Sequence, residues 1–592
     1  MQSVEEIEKY KNDSNRMYQA VRILQQKQTK NILVNGEDGL TTDTKEQLEI
    51  ITNFFEKTFN KDNIEKMEDV KPSKMNKPFT AEEIETAVKC LKNNKSPGID
   101  NINAELLKYG PNELHDEIAN IFNQIAETGE VPTEIQQGIL IPIPKPGKPA
   151  GPPGNLRPII LLSTIRKILS ICMITRIHDK LNSVIPNSQA AYRPGRSTTE
   201  HVFAFKSLAE KAITSSNYEI IIEMLDMSKA FDTVDRGKLS EILTKILDDD
   251  ELHLMKVLIQ DVQLQVRIGN QTGKPIRTNI GVPQGDCLSP ILFTLYLANA
   301  LAAKPPNIDP MLEDHNYSKP PTVIETLLPK HLQDHSYATK RDIYLDINLQ
   351  YADDISWISN ADHKIEDVKN RIPNHLKSFN LHVNETKTEE HRIKRGGDDN
   401  WKKCKYLGTL LDTNNDISRR KRLAILAFNK LKIAFNSKLS IKNKVRIFNA
   451  YIESIFLYNA ELWTLTKKLA GDIDIFQRSL LRKILDIKWP RKISNKDLYN
   501  KTKSLEWSKK IQKRRLIWVG HLLRLPEDAP AKQALAECIR KVKRPRGKPK
   551  ATWLGNVGKE LSELNLNFET AKEIAQERPK WRDIVDGAVS NN

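Results

Sequence analysis

The sequence predicts an α+β chain with a mainly helical, basic C-terminal region, and three observations carry that expectation. Ile220 to Leu225 is a β-branched apolar run suited to a buried strand, and Leu345 to Ile358 reads as two short strands around a tight turn. Helical periods alternate with these strands, as where Ile84, Ala87, Val88 and Leu91 recur at helical spacing. After Leu411 the apolar spacing is helical throughout, on faces rich in Arg and Lys.

At 592 residues, the chain is long enough for more than one domain. Met1 to Gln28 is charged and helix-periodic without an apolar signal core, so residues 1–79 are expected to form an N-terminal helical extension of an intracellular protein. Thr80-Ala81-Glu82-Glu83 is a capping box that opens a folded unit spanning 80–411. Asn93 to Asp100 breaks the first helix, and Ile139 to Asn155 is a strand running into a Pro/Gly-rich basic loop, expected to be mobile. Leu239 to Leu247 looks helical. The six prolines between 302 and 342 mark an inserted loop. Helices with basic faces follow over 412–475, then a basic C-terminal region over 476–592. The five cysteines are odd in number and far apart, which fits reduced thiols and neither a disulfide framework nor a zinc module.

Lys and Arg number 92 against 76 Asp and Glu, a formal net charge of +16. Residues 501–550 hold 16 basic and 4 acidic side chains, net +12. A polyanion partner follows naturally, because Lys and Arg displace counterions from phosphates; a solvated basic face is the alternative. On either reading residues 501–592 are expected to be removable without unfolding the rest.

Tyr351-Ala352-Asp353-Asp354 sets two adjacent carboxylates in a turn between apolar strands. Two such charges at the tip of a buried hairpin repel each other unless a divalent cation neutralises them, so a hard-metal site is the better account. Asp226 ends the strand Ile220 to Leu225 and adds a third carboxylate. Alone it would be read as a strand-end Asp capping the next turn. Together the three could hold two Mg²⁺ ions about 4 Å apart, which is phosphoryl-transfer chemistry.

The segments KNNKSPGID (92–100), IPIPKPGKP (141–149) with LRPIILLSTIRKI (156–168), AYRPGRST (191–198), LDMSKAFDTVD (225–235), GVPQGDCLSPILF (281–293), YADDISW (351–357), LHVNETKTE (381–389) and KYLGTLL (405–411) resemble, in order, the motifs of reverse transcriptases. The match is strongest to those of LINE-type (non-LTR) retrotransposons, and it covers about 320 residues. The resemblance implies a right-hand polymerase of fingers, palm and thumb that copies RNA into DNA, with target-primed synthesis. Asp226, Asp353 and Asp354 would be the metal ligands, for Mg²⁺ or alternatively Mn²⁺. The partners implied are an RNA template, a DNA primer or target and dNTPs, and the setting is the nucleus with a cytoplasmic phase.

Site roles follow from the same resemblance. Phe231 matches the side chain that lies under the incoming sugar and rejects a 2′-hydroxyl, although a core Phe fits the pattern as well. Gln284 and Gly285 match the motif that packs on the nascent base pair. Arg157 and Lys145, with Lys148, match residues that grip the triphosphate; Arg suits this through bidentate contacts. Lys387 matches the position that protonates departing pyrophosphate. Arg193 and Arg196 are expected on template or nucleotide phosphates, while Tyr406, Leu407 and Gly408 resemble the turn supporting the primer end. Trp518 in RRLIWVGHLLRLP (514–526) and Trp553 in KRPRGKPKATW (543–553) suit either base stacking or core packing. Neither an N-terminal phosphoesterase-like domain nor a zinc knuckle is found, so a 5′-truncated copy or an incomplete gene model is expected, with nicking supplied from elsewhere. The competing reading is an RNA-binding remnant without catalysis, against which the intact carboxylate set argues. An RNA-directed RNA polymerase is a third, disfavoured by Phe231 and by the order of the motifs.

Overall fold

The computed structural model describes residues 2–10, 12–24, 32–37, 39–62, 76–260, 262–302, 345–540 and 547–590. Residues 303–342 of the expected insert and 541–546 of the basic tract lie outside them. The strands, in chain order, are β1 (Val34–Gly36), β2 (Gly39–Thr41), β3 (Gln137–Pro144), β4 (Leu156–Leu162), β5 (Ile220–Leu225), β6 (Gln263–Ile268), β7 (Gln271–Arg277), β8 (Asp346–Tyr351), β9 (Asp354–Ser359), β10 (Glu389–Ile393), β11 (Lys405–Tyr406) and β12 (Thr409–Leu410). They form two four-stranded sheets, ordered β4-β3-β6-β7 and β10-β5-β9-β8, and the hairpins β1-β2 and β11-β12. The mixed helix-and-sheet class agrees with the sequence pattern.

The second sheet is central, and β5 shows why its sequence reads as an unbroken apolar run. Ile220 and Ile222 fall on one face, Ile221 and Leu225 on the other, as a period of two requires, and both faces are covered. One face packs on the helices Arg236–Thr244, Ser289–Ala302 and Asp362–Ser378 through Leu239, Phe293 and Ile365. The other packs on the helix Thr198–Thr214 and, beyond it, on the C-terminal helices Trp507–Arg524 and Trp553–Glu563. Trp518 and Trp553 resolve to the core reading: both are buried, with ring centroids 6.0 and 4.8 Å from Phe203. This corrects the expectation that residues 501–592 stand apart. Their basic side chains decorate helices whose apolar sides complete the core under the central sheet.

The expected boundaries move for the same reason. Position 475/476 falls inside the helix Lys467–Ile484. The helices Gln2–Lys9 and Ser14–Leu24 bury Ile7, Met17 and Val21 against Phe428, Phe435 and Phe448 of the helical unit that follows residue 411. The helix Thr44–Phe59 instead lays Leu48, Ile51 and Phe55 on the first sheet, against Leu140, Leu162 and Leu264. The N-terminal extension thus serves two units, because its two amphipathic segments have different apolar partners. Local signals were accurate where they were chemical: Thr80 caps the helix Ala81–Cys90 by accepting from the Glu83 amide at 3.4 Å.

The helix Thr164–Val184 carries Arg166 into the core, 1% exposed, where Nε donates to Asp286 Oδ2 at 3.1 Å. Its remaining nitrogens reach the Ile135 and Leu258 carbonyls, so the charge is fully satisfied. Removing one partner of such a pair costs far more than the pair contributes, because the other charge stays buried alone. Arg166→Met is therefore expected to lose about 3–5 kcal/mol in a urea melt. A loss under about 1 kcal/mol would mean that water reaches Asp286.

Candidate active site

The apolar run of β5 stops at Leu225, and Asp226 begins the exit from the strand. Its carbonyl accepts from the Asn384 amide at 2.7 Å, and Met227 bridges to Val383, which clamps the strand end. Opposite it, β8 and β9 are joined by the two-residue turn Ala352-Asp353, with Ala352 in the left-handed region at φ 54°. A non-glycine there is strained, and the Ala352 amide is held by Gln189 Oε1 at 3.2 Å. The antiparallel register pairs Leu225 with Ile355, so the next position outward sets Asp226 opposite Asp354. Asp226 and Asp354, 128 residues apart in sequence, are thereby brought to one sheet end, with Asp353 beside them.

Burial raises Asp354 to about 6 although part of its surface is open, and the charges of Asp353 and then Asp226 add to the rise. Asp353 is raised mainly by burial and further by Asp226, against the pull of Lys387 and Arg157. Asp226 itself turns to Lys387, whose Nζ lies 2.6 Å from Oδ2. The three carboxylates are adjacent without being drawn tightly together. Among the described residues the group of ligand atoms gathered within 4.8 Å of one another is Glu389, His391 and Cys404, beside β10 and β11, where Cys404 Sγ contacts Met224 Sδ at 3.6 Å.

Cations converge on the same opening. Arg157 lies on β4, opposite Ile143 of β3. Lys145 follows β3; burial lowers its ammonium pKa, Asp232 opposes this, and Lys229, Arg157 and Lys387 push it down further. Its Nζ donates to the Gly154 carbonyl at 2.8 Å. The loop that carries it is tied down, contrary to the mobility expected, since Gly151 exchanges hydrogen bonds with Leu33 and Asn35. Lys148 is exposed on that loop.

Phe231 stacks on Phe293 at 4.5 Å, half-buried at the edge of the core. Its carbonyl accepts from the Val282 amide at 2.9 Å, which docks the segment bearing Gln284 and Gly285 beside it. Gly285 has φ 137°, and a Cβ there would stand 2.2 Å from the Ile160 carbonyl oxygen, so only glycine allows this approach to β4. Gln284 Nε2 donates to Asp232 Oδ1 at 2.7 Å. Asp232 and Lys229 were not singled out from the sequence, where each reads as an ordinary turn residue within LDMSKAFDTVD.

Other expected contacts are arranged differently. Arg193 donates to Asn182 Oδ1 and to the Pro186 and Gln189 carbonyls, and Arg196 donates to Asn187 and pairs with Glu200 at 2.8 Å. Both guanidiniums stitch their own loop together, whereas neighbouring Tyr192 is 52% exposed and close enough to Asp353 to be raised by it, after burial. Tyr406 is a buried anchor, its ring 4.2 Å from Phe205. Leu407 and Gly408 form the β11-β12 turn, with φ 42° and 80°. The Tyr458 hydroxyl donates to the Leu407 carbonyl, and Arg419 and Arg420 donate to that of Gly408.

Two carboxylates at one sheet end thus stand beside a third, with cations around them. Residues 143–411 match the family described as "Reverse transcriptase (RNA-dependent DNA polymerase)". The "Probable RNA-directed DNA polymerase from transposon BS" of Drosophila melanogaster is 32% identical over 225 residues, 38% of this chain and 25% of that protein. That from transposon X-element, also of Drosophila melanogaster, is 26% identical over 70% of this chain and 44% of its own length. The "RNA-directed DNA polymerase from mobile element jockey" of Drosophila funebris is 23% identical over 74% and 46%. The chain thus spans less than half the length of each of these relatives. Among solved structures, apo telomerase from Candida tropicalis overlays with a TM-score of 0.35 at 15% identity, covering 72% of this chain and 74% of that one. No helix among the described residues is long and apolar enough to cross a membrane.

Proposed function

We propose that the chain is the RNA-directed DNA polymerase of a non-LTR retrotransposon, extending a DNA primer on an RNA template. The observation that supports this best is the β5–β9 register, with Asp226 opposite Asp354 inside a rim of Lys145, Arg157, Lys229 and Lys387. In this reading the central sheet is the palm. The first sheet with the helix Thr44–Phe59 belongs to the fingers, and the helical unit after residue 411, with the N-terminal helices docked on it, is the thumb.

The donor set suits a hard divalent cation, Mg²⁺ or alternatively Mn²⁺: three carboxylates, two of them raised by burial and mutual repulsion, which a cation would relieve. Bound cations supply activation of the primer 3′-hydroxyl and charge neutralisation at the triphosphate. Arg157 and Lys145 hold the triphosphate, and Lys387, already at Asp226, is within reach to give its proton to departing pyrophosphate. Phe231, braced by Phe293, lies under the sugar and selects dNTPs. Target-primed synthesis places the work on nuclear DNA.

Primer extension on an RNA template with dNTPs and Mg²⁺ tests the reading; a folded chain that adds no nucleotide would overturn it. A sharper check is Phe231→Val, which opens space beneath the sugar. The ratio of ribonucleotide to deoxyribonucleotide incorporation is expected to rise by about 10-fold or more, since a steric clash of that size is worth at least ~1.4 kcal/mol. An unmoved ratio would return Phe231 to packing alone.

A further inference from the structure

Asp232 is a carboxylate that the chemistry above leaves unused. It is 5% exposed and lies among cations, yet Lys145 Nζ bonds to the Gly154 carbonyl and Lys229 Nζ to Thr58 Oγ1. Its partner is Gln284, 2.7 Å away. A carboxylate only accepts, so the amide must turn its NH₂ toward Asp232 and its oxygen away. No described residue donates to that oxygen, and Gln284 is only half-buried.

The backbone of Gln284 is fixed as firmly as its tip. Its carbonyl accepts from the Ile160 amide of β4 at 2.8 Å, and the Gly281 and Val282 amides donate to Val234 and Phe231. Gly281 and Gly285 lie too close to Asp232 and Ile160 for any Cβ. A glutamine free at its tip would sample several rotamers and both amide orientations, and ordering it on binding would cost affinity. Here one buried acceptor removes that freedom beforehand. Burial raises the carboxylate to about 6, and Gln284, Lys229 and Lys145 all pull against that rise.

We infer that Asp232 is a positioning residue that locks Gln284 in a single amide orientation, presenting Oε1 as a ready acceptor to a donor group on the incoming nucleotide. This deepens the polymerase reading and rests on it. The direct contact belongs to Gln284; Asp232 acts through it.

Single-nucleotide incorporation kinetics on an RNA template test the inference, with KM for the dNTP and kcat measured separately. Asp232→Leu keeps the branched shape of the side chain, in a larger volume, and removes the acceptor. It is expected to raise KM by about 10–100-fold, the worth of a hydrogen bond to a charged group, with kcat within about 3-fold. Asp232→Asn retains an acceptor oxygen and is expected to restore most of the affinity. Gln284→Leu raises KM alike, and the double variant Asp232→Leu/Gln284→Leu is no worse than Gln284→Leu alone, because the two act as one unit. Should Asp232→Leu fail to fold, Gln284→Glu sets carboxylate against carboxylate at the half-exposed partner and is expected to raise KM to the same degree. Additive effects, or a fall in melting temperature with KM unmoved, would overturn the inference while polymerisation stands. A folded wild type that extends no primer would overturn the polymerase reading and this inference with it.

Discussion

If Asp353 is a metal ligand as proposed, Asp353→Asn is expected to reduce primer extension by about 10³-fold or more while leaving the protein folded, because it keeps the size of the side chain and removes the charge that would hold a cation. Its effect on stability separates the catalytic role from a structural one. Asp354 stands at about 6 against an ordinary 3.8, so without metal the folded state holds a proton more tightly than the unfolded chain. The stability this group contributes is full below about pH 4 and is lost as pH rises through about 6. Neutralising Asp353 removes the largest cause after burial itself. In EDTA near neutral pH the variant should therefore melt at or above the temperature of the wild type, and the wild type should itself gain stability on acidification toward pH 4. A turn-capping Asp would behave oppositely, losing stability on substitution. A variant that melts earlier yet still extends primers would remove Asp353 from the catalytic set.

Deleting residues 501–592 is expected to abolish cooperative unfolding, although the sequence marks this region as a separable basic appendage. Leu516, Trp518, Val519, Leu522 and Leu523 share a core with Ile220, Ile222, Ile347 and Ile358 of the central sheet. Each such side chain contributes roughly 1.5–3 kcal/mol on burial, and a domain is stable by only about 5–15 kcal/mol, so stripping this face exceeds the margin. Further ties go with it. Lys211 pairs with Glu537 at 2.5 Å, and the Trp553 indole donates to the Glu461 carbonyl at 2.9 Å. Near-ultraviolet circular dichroism during a thermal melt would show the result. A truncated chain that melts as sharply as the whole would mean that the central sheet is self-sufficient and that the C-terminal helices merely rest on it.

Much of the site was legible because its chemistry is local. The adjacent carboxylates at 353 and 354 and the strand-end Asp226 stand out by charge against apolar neighbours, and each is found at the strand end expected. Phe231, Gln284 and Gly285 were found through an ordered set of motifs, and they do meet, joined by backbone bonds from 281–284 to 160 and 231–234. Arg193 and Arg196 show what charge leaves open: a guanidinium can satisfy carbonyls of its own loop as well as reach a phosphate, and sequence does not distinguish the two. Asp232 shows the converse, a turn-like Asp whose meaning depends on a glutamine 52 residues away.

The sequence by itself determined where strands and helices begin, because capping residues, strand-breaking turns and apolar period act between neighbours in the chain. The start at Thr80, the strand Ile220–Leu225 and the hairpin around Asp353 all follow from such terms. Only the tertiary structure decided which apolar face meets which. The N-terminal helices could bury Ile7, Met17 and Val21 against any complementary surface, and the hydrophobic effect, being non-directional, names no partner. Shape and side-chain interlock choose the helical unit beyond residue 411 for them, the first sheet for Leu48 and Phe55, and the underside of the central sheet for Trp518 and Trp553.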